Sequence, residues 1–123
     1  MIPGVVNDNL EATIRLVVRG SGGQEQKIEA VIDTGFNGFL TLSPALVRQL
    51  GLPHIGQSRA LLANGKAELL DLYEVTLLWD GQWRTVETDA ADTDALVGMS
   101  LLYRYSVYVE AVEGGQVVIE ALP

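Results

Sequence analysis

Short runs in which apolar and polar residues alternate recur along the chain. In Ala12–Arg19, the apolar Ile14, Leu16 and Val18 share one face, and the polar Thr13, Arg15 and Arg19 lie on the other. This period of two is typical of half-buried β-strands. Lys27–Asp33 repeats the pattern, and the glycine-rich residues 20–23 between the two runs predict a turn. The two runs are therefore expected to pair as a hairpin.

The same alternation predicts three more hairpins. Their turns are Asn64-Gly65, with Ala63 and Lys66 beside it, then Asp80-Gly81, and residues 113–115. Asx-Gly dipeptides favour tight hairpin turns because both central residues adopt positive φ angles at little cost. The paired segments are Ala60–Leu62 with Glu68–Leu70, Tyr73–Trp79 with Gln82–Thr88, and Ser106–Val112 with Gln116–Leu122.

One segment carries clear helix signals. Ser43 is a suitable N-cap, Pro44 suits the first helical position, and Gly51 follows Leu50 as a terminator. A second short helix is expected over Met99–Tyr105. No linker, repeat or low-complexity segment interrupts the chain, so residues 1–123 are predicted to form a single, mostly-β domain with one or two short helices.

Composition and charge narrow the classes of partner. The chain has 123 residues and a formal net charge of −8, which repels phosphate groups and argues against nucleic acid and anionic membranes as partners. The N-terminus has no signal-peptide pattern, and no apolar run approaches the roughly 20 residues needed to span a bilayer. We therefore expect a cytoplasmic protein.

Metal-ligating residues are few. The chain has no cysteine and one histidine, His54, which follows Pro53 in a predicted loop and is not expected to act as a ligand or catalyst. Asp89, Asp92 and Asp94 form the one notable acidic cluster, and their Thr/Ala/Asp-rich surroundings predict a solvated loop. We expect no metal and no cofactor.

The segment most suggestive of chemistry is Ala30–Leu40. Asp33 ends an apolar strand, where its carboxylate would be partly desolvated unless a hydrogen bond satisfies it. Thr34 supplies a hydroxyl group, and Gly35 allows another backbone to approach closely. An ordinary turn is the alternative interpretation, because Asp, Thr and Gly are all common turn residues.

A second element lies some 60 residues downstream. Leu96 and Val97 are followed by Gly98 and then by an apolar segment, which predicts a strand leading into a helix. Together with Asp33-Thr34-Gly35, the helix after it and the Asn64-Gly65 hairpin, this pattern resembles the retropepsin-like, single-domain aspartic proteases, in particular their small bacterial members. The resemblance covers about residues 10 to 112.

The resemblance implies a small closed β-barrel with one or two short helices and assigns roles to individual residues. Asp33 would be the catalytic carboxylate, Thr34 would hydrogen-bond across a dyad, and Gly35 would leave room for the substrate backbone. Leu96, Val97 and Gly98 would pass behind the catalytic loop and fix its shape. Ala63, Asn64 and Gly65 would form a flap over a bound peptide.

The chemistry of peptide-bond hydrolysis determines how many chains such an active site would need. Hydrolysis of a peptide bond by carboxylates needs one ionised group to activate water and one protonated group to polarise the carbonyl. The chain contains a single Asp-Thr-Gly, so a protease of this type must be a homodimer with Asp33 from each subunit at its two-fold axis. Family resemblance places candidate dimer contacts near residues 1–6 and 115–122, although the apolar Val117–Ile119 would equally suit a buried strand.

Aromatic residues leave two questions open. Phe36 occupies a position that usually holds a small residue in this family, and we expect it to pack in the core next to Phe39. If it instead disturbs the Asp33 carboxylate, the domain would be a weakly active or inactive peptide-binding module on the same barrel. Trp79 and Trp83 flank the Asp80-Gly81 turn and are expected to pack across the hairpin, with lining of a peptide groove as the alternative.

Overall fold

A computed structural model of the chain describes residues 1–61 and 64–123, and the side chains of all of these except residues 60 and 61. The described part is mostly β. Its strands and helices, in chain order, are β1 (Ile2–Val6), β2 (Ala12–Arg19), β3 (Glu25–Ile32), β4 (Leu40–Leu42), α1 (Pro44–Leu50), β5 (His54–Leu61), β6 (Ala67–Trp79), β7 (Gln82–Ala90), β8 (Leu96–Val97), α2 (Met99–Leu102), β9 (Tyr105–Val109) and β10 (Gln116–Ala121).

Six strands close into a barrel in the order β6, β7, β4, β8, β3 and β2, with β6 pairing back onto β2. The closing pair is antiparallel, with Val17 opposite Leu78. Side chains that point into the barrel are almost fully buried, because alternate residues of each strand face inwards. They include Ile14, Leu16, Val18, Leu40, Val75, Leu77 and Val97. The predicted closed, mostly-β barrel is confirmed.

The remaining strands extend the sheet from the barrel in two directions. β5 pairs with the long β6 and forms a projecting hairpin, while β1, β10 and β9 follow one another outwards from β2. Pro3 fits within β1 because the ladder between β1 and β2 starts only at Gly4, so its missing N–H breaks no bond there. The sheet therefore ends at β5 on one side and at β9 on the other.

Local signals in the sequence explain the first helix and the tight turn. The Ser43 side chain accepts a hydrogen bond from the amide of Leu46 at 3.2 Å, and Gly51 ends α1 in the left-handed conformation with φ of 62°. Asp80 and Gly81 both adopt positive φ, 51° and 82°, as a type I′ hairpin turn requires. The predictions for α1 and for this turn are confirmed.

Several predicted boundaries were wrong. His54 begins β5 and does not lie in a loop, and the strand predicted from Tyr73 starts at Ala67, within the projecting hairpin. The helix predicted up to Tyr105 ends at Leu102, because Arg104 takes a positive φ of 69° and Tyr105 opens β9. Neither described helix has the length and apolarity needed to cross a bilayer.

The two tryptophans do not pack against each other across the hairpin. Trp79 lies opposite Gln82 and is buried, with its ring edge-on to Tyr105 at a centroid distance of 5.6 Å. Trp83 points to the other face of the sheet, where the Arg19 guanidinium lies 3.6 Å above its ring. The side chains diverge because residues 79 and 83 occupy opposite faces of paired strands.

Both terminal strands are paired on each side within the same chain. β10 lies between β1 and β9, and its Val117 and Ile119 are fully buried. β1 in turn lies between β10 and β2. The buried interpretation of the terminal hairpin is therefore correct, and residues 1–6 and 115–122 have their strand edges occupied, which removes them as sites for a sheet shared with a second subunit.

Candidate active site

Asp33 immediately follows β3, at the start of a tight loop that leads into β4. Its backbone amide donates to the carbonyl of Val97 at 2.9 Å, so the residue is held by β8 at its side. Its carboxylate Oδ1 accepts the amide of Gly35 at 3.0 Å. The side chain is half-buried. This hydrogen bond from a backbone N–H fixes the orientation of the carboxylate.

The segment Leu96–Gly98 passes directly behind this loop. β8 runs parallel to β3, with Val31 opposite Leu96, and antiparallel to β4, with Val97 opposite Leu40. Because β3 and β4 are the two strands that flank the Asp33 loop, β8 holds both ends of the loop together. The structure therefore brings the Asp33 and Leu96–Gly98 elements, some 60 residues apart in sequence, into one unit.

Gly98 is packed too tightly against the Asp33 loop to carry a side chain. A Cβ at this position would lie 2.2 Å from the carbonyl oxygen of Gly38 and 2.6 Å from Cδ2 of Phe36. A Cβ on Gly38 would likewise come within 2.5 Å of Cζ of Phe36. The half-buried ring of Phe36 thus lies against two glycines. Phe39 is among the partly buried residues packed against the core, and Phe36 is not.

The first turn of α2 completes the support of the loop. The amides of Gly98, Met99 and Ser100 donate to loop carbonyls, with lengths of 2.8–3.1 Å. The Ser100 hydroxyl also donates to the carbonyl of Asn37. The sequence reasoning missed Ser100 and Gly38, although a serine in the first turn of a helix that follows a glycine is a signal that could have pointed to such a clamp. The amide of Gly98 donates to the carbonyl of Phe39, the amide of Met99 to that of Phe36, and the amide of Ser100 to that of Gly38.

Thr34 and Gly35 lie at the exposed tip of the loop. Within the described part of the chain, the Thr34 hydroxyl makes no hydrogen bond, and Asp33 receives its single side-chain bond from Gly35. A Cβ on Gly35 would lie 3.3 Å from Asp33 Oδ1, which is tighter than ordinary contact. One chain therefore supplies one oriented carboxylate, with the threonine hydroxyl beside it open to an external partner.

Asn64 and Gly65 lie at the tip of the β5–β6 hairpin and are exposed. The Asn64 side chain accepts the amide of Lys66 at 3.0 Å, and Gly65 has a φ of 82° with open space where a Cβ would be. The candidate flap residue Ala63 lies outside the described residues. No hydrogen bond among the described residues joins this tip to the Asp33 loop.

A surface depression of about 570 Å³ adjoins the Asp33 loop. Its lining includes Asn37 and Phe39 from the loop, Met99 and Ser100 from α2, and Arg84 from β7. Asp33 is not part of this lining. The depression therefore lies on the α2 side of the loop, away from the carboxylate.

Asp89 differs from the acidic residues that follow it. It belongs to β7 and is half-buried, with Oδ1 accepting a hydrogen bond from the Thr41 hydroxyl, whereas Asp92 and Asp94 are exposed in the next loop. Burial raises the pKa of Asp89, and the Thr41 hydrogen bond opposes that rise. The predicted solvated loop is therefore wrong for Asp89, because the strand continues through it. The described residues contain no group of three or more His, Cys, Asp or Glu that could hold a metal ion.

The single histidine is part of a small exposed cluster at the base of the projecting hairpin. His54 Nε2 lies 3.1 Å from Asp71 Oδ1, and its ring meets Tyr73 edge-on at 5.3 Å between centroids. The hydrogen bond from His54, followed by that from Gln57, lowers the pKa of Asp71. These contacts join β5 to β6 and place His54 in a structural role in the hairpin.

Comparison with known proteins gives a clear result for the fold. No family model matches the chain, and no curated protein sequence matches it significantly. Several chains of solved structures are similar to it, including two proteases. A retropepsin-like aspartic protease from Rickettsia conorii aligns with 99% of this chain and 91% of its own, with a TM-score of 0.60 and 17% identity. The simian foamy virus (mac) protease aligns with 72% of this chain and 90% of its own, with a TM-score of 0.51 and 20% identity. The retropepsin-like fold class predicted from the motifs is thereby confirmed.

Proposed function

We propose that the protein is a homodimeric aspartic endopeptidase that hydrolyses peptide bonds with water activated between two Asp33 carboxylates, one from each subunit. The observation that carries the proposal is the position of Asp33. In a retropepsin-like barrel, its carboxylate is oriented by the Gly35 amide and its backbone is held by β8. Such an oriented carboxylate at the end of a strand is suited to acid–base chemistry.

The two Asp33 side chains of the proposed dimer would have different roles in catalysis. Two carboxylates held close together do not both ionise readily, so the pair shares one proton. The ionised member takes a proton from the attacking water, while the protonated member donates a hydrogen bond to the scissile carbonyl. Thr34, exposed beside Asp33, would hydrogen-bond to the opposite loop and keep the two loops rigid.

The substrate would be a peptide or protein segment bound in extended form. Gly35 leaves its backbone open to the substrate main chain, and the β5–β6 hairpin would close over the peptide through Ala63, Asn64 and Gly65. Gly65 suits such a tip because its positive φ turns the backbone without a side chain in the way. Closure would exclude water from the reacting centre. No cofactor enters the proposed reaction.

A catalytically inactive peptide-binding module on the same barrel is the alternative, and we do not favour it. Its main support in the sequence was Phe36, as a bulky residue next to Asp-Thr-Gly. The ring lies on Gly38 and Gly98, and Asp33 keeps its hydrogen bond from Gly35. Phe36 therefore fills space between two glycines that have no side chains of their own.

The test compares the wild-type chain with Asp33→Asn on a mixed peptide library between about pH 4 and 7. Asp92→Asn, which removes the same charge from an exposed loop, is the matched control. We expect cleavage by the wild type and Asp92→Asn, inhibition by a statine-type compound, and no cleavage by Asp33→Asn. Cleavage that survives the Asp33 substitution would contradict the assignment, and a complete lack of cleavage at every pH would favour the binding module.

A further inference from the structure

The depression of about 570 Å³ on the α2 side of the Asp33 loop, named the α2 groove from here on, is positively charged. Two of the residues that line it are arginines, Arg84 and Arg104, and none of its lining residues among those described is acidic. The whole chain has twice as many acidic as basic residues, 16 against 8. The α2 groove therefore reverses the charge of the chain locally.

The two arginines of the α2 groove have no carboxylate partner in the part of the chain that the structure describes. Asp80 accepts a hydrogen bond at 3.3 Å from Tyr105, which lines the groove, but it is already paired with the Met1 ammonium at 2.6 Å. A guanidinium offers five N–H donors in a planar fork that matches the two oxygens of a carboxylate. The groove therefore presents two such groups to an external anion.

Arg84 occupies a strand position that faces the barrel interior. It pairs with Leu77 of β6, which is fully buried, and it shares a face of β7 with the buried Val86. The Arg84 side chain itself is half-buried. An arginine at such a position keeps its aliphatic stem against apolar neighbours and carries its guanidinium out to a polar surface. The α2 groove supplies a surface of this kind at the end of the barrel.

A neighbouring depression shows why an anion would favour the α2 groove. Arg84 and Phe39 line both the α2 groove and this second depression, of about 360 Å³. Glu74 and Glu87 line only the second depression. A negatively charged ligand is repelled there by the glutamates, whereas in the α2 groove it meets Arg104 in addition to Arg84.

Arg104 has a backbone conformation that arginine rarely adopts. Its φ is 69°, in the left-handed region that glycine and asparagine enter at less cost. The residue connects α2 to β9, and its carbonyl accepts the amide of Leu122 at 2.9 Å. A glycine would make the same turn with less strain, so the turn does not explain the arginine. Its exposed side chain in the α2 groove does.

The α2 groove is continuous with the loop that carries Asp33. Asn37 belongs to both, and it follows Asp33 by four residues. Four residues span at most about 14 Å, so the groove begins within that distance of Asp33. An extended peptide advances about 3.3 Å per residue. A substrate held at Asp33 therefore reaches the groove with a residue about three to five positions from the scissile bond.

We propose that the α2 groove is a specificity site, at which Arg84 and Arg104 bind the carboxylate of a substrate Asp or Glu about three to five residues from the scissile bond. This proposal rests on the proposed function, because a peptide cleaved at Asp33 is the ligand that would extend along the loop into the groove. The exposed Met99 and Tyr103 would contact the same stretch of peptide. The substrate class is thus a peptide with an acidic residue to one side of the cleaved bond.

The first test identifies by mass spectrometry which bonds of a mixed peptide library the wild type cleaves. We expect Asp and Glu to be enriched about three to five residues from the cleaved bond. One such peptide is then synthesised with Glu or with Gln at that position, and kcat/KM is measured for both at about pH 6, where a glutamate side chain is ionised. We expect the Glu peptide to be preferred about tenfold, mainly through a lower KM.

Three variants test which arginines cause the preference. Arg84→Gln and Arg104→Gly each remove one guanidinium and should lower the Glu/Gln ratio of kcat/KM about threefold or more. Arg48→Gln is the matched control, because Arg48 is exposed on α1 and does not line the groove, and it should keep the wild-type ratio. Arg104→Gly should also keep or raise the free energy of unfolding, because glycine suits a φ of 69°. A lower ratio in that variant therefore does not come from unfolding.

Charge reversal separates recognition from structural support. A third peptide carries Lys at the same position. The wild type should cleave it more slowly than the Gln peptide, whereas Arg104→Glu should cleave it faster than the Glu peptide. A residue that only supports the fold would not reverse the preference, so an unreversed preference in folded Arg104→Glu would contradict direct contact of Arg104 with the substrate.

A binding test separates this proposal from the proposed function. Immobilised Asp33→Asn protein should retain acidic peptides from the same library in preference to their Gln counterparts. Retention that depends on Arg84 and Arg104, without cleavage by the wild type at any pH, would support the specificity site and refute the protease. Cleavage without enrichment of acidic residues, or an unchanged Glu/Gln ratio in both folded groove variants, would overturn the specificity site alone. Absence of any acidic preference in both cleavage and retention would overturn it as well.

Discussion

The ring of Phe36 lies against Gly98, so closely that a Cβ on the glycine would come within 2.6 Å of Phe36 Cδ2. This contact joins the loop that carries Asp33 to the segment that leads from β8 into α2. It also explains why a bulky residue is accommodated directly after Asp-Thr-Gly. The ring occupies the space above two glycines, so the size of Phe36 and the absence of side chains at Gly38 and Gly98 are complementary.

Gly98→Ala is expected to destabilise the protein by about 1–3 kcal/mol, because the added methyl group would clash with the Gly38 carbonyl and the Phe36 ring. Gly22→Ala is the matched control, since its Cβ would meet only the end of the flexible Gln24 side chain. The free energy of unfolding in urea is the measurement. Equal stability of the two variants would show that the contact is not restrictive.

Phe36→Ala is expected to lower the free energy of unfolding by about 1–2 kcal/mol, less than the 3–5 kcal/mol typical of a fully buried phenylalanine, because the ring is half-buried. Peptide cleavage should fall as well, since the loop that orients Asp33 loses packing against Gly98. Phe36→Leu, which keeps most of the apolar contact, should retain more of both properties. A faster Phe36→Ala enzyme would indicate that the ring obstructs the site.

Asp89→Asn should make the free energy of unfolding less dependent on pH. Because burial raises the pKa of Asp89 above its ordinary value of 3.8, the folded state holds this proton more tightly than the unfolded state does. The wild type therefore loses stability as pH rises from the unfolded pKa through the folded one, and this loss persists at neutral pH. An asparagine carbonyl still accepts the Thr41 hydroxyl and carries no charge to bury.

The measurement is urea unfolding of wild type, Asp89→Asn and the exposed control Asp92→Asn at several pH values from about 3 to 7. We expect Asp89→Asn to gain stability relative to wild type as pH rises, with the gain largest at neutral pH. A neutral-pH loss of stability in Asp89→Asn that exceeds the loss in Asp92→Asn would show that the ionised Asp89 carboxylate stabilises the fold.

The sequence was most informative where local chemistry decides structure. Alternation predicted the β2–β3 hairpin, the Asp80-Gly81 dipeptide predicted the turn between β6 and β7, and Ser43 with Gly51 predicted the ends of α1. Each of these signals acts within a few residues. The proximity of Asp33 to Leu96–Gly98 was expected through family resemblance, and the parallel β3–β8 ladder provides it.

Features that depend on distant contacts could not be predicted in the same way. β4 is three buried residues without alternation, and β1 contains a proline and a glycine, so neither shows a strand pattern. The Ser100 clamp and the fit of Phe36 on Gly98 arise only when α2 meets the Asp33 loop. Whether a strand is internal or at an edge, which separates β10 from β9, is likewise set by the whole sheet.

The shared carboxylate pair is tested most directly by mixing chains. Wild-type protein is refolded together with a threefold excess of Asp33→Asn, and the rate of peptide cleavage is measured per wild-type chain. If each site needs Asp33 from both subunits, mixed dimers are inactive, and the rate should fall to about a quarter of that of wild type refolded alone at the same total concentration. A rate per wild-type chain that stays unchanged would show that one chain carries a complete site, which would contradict the proposed mechanism.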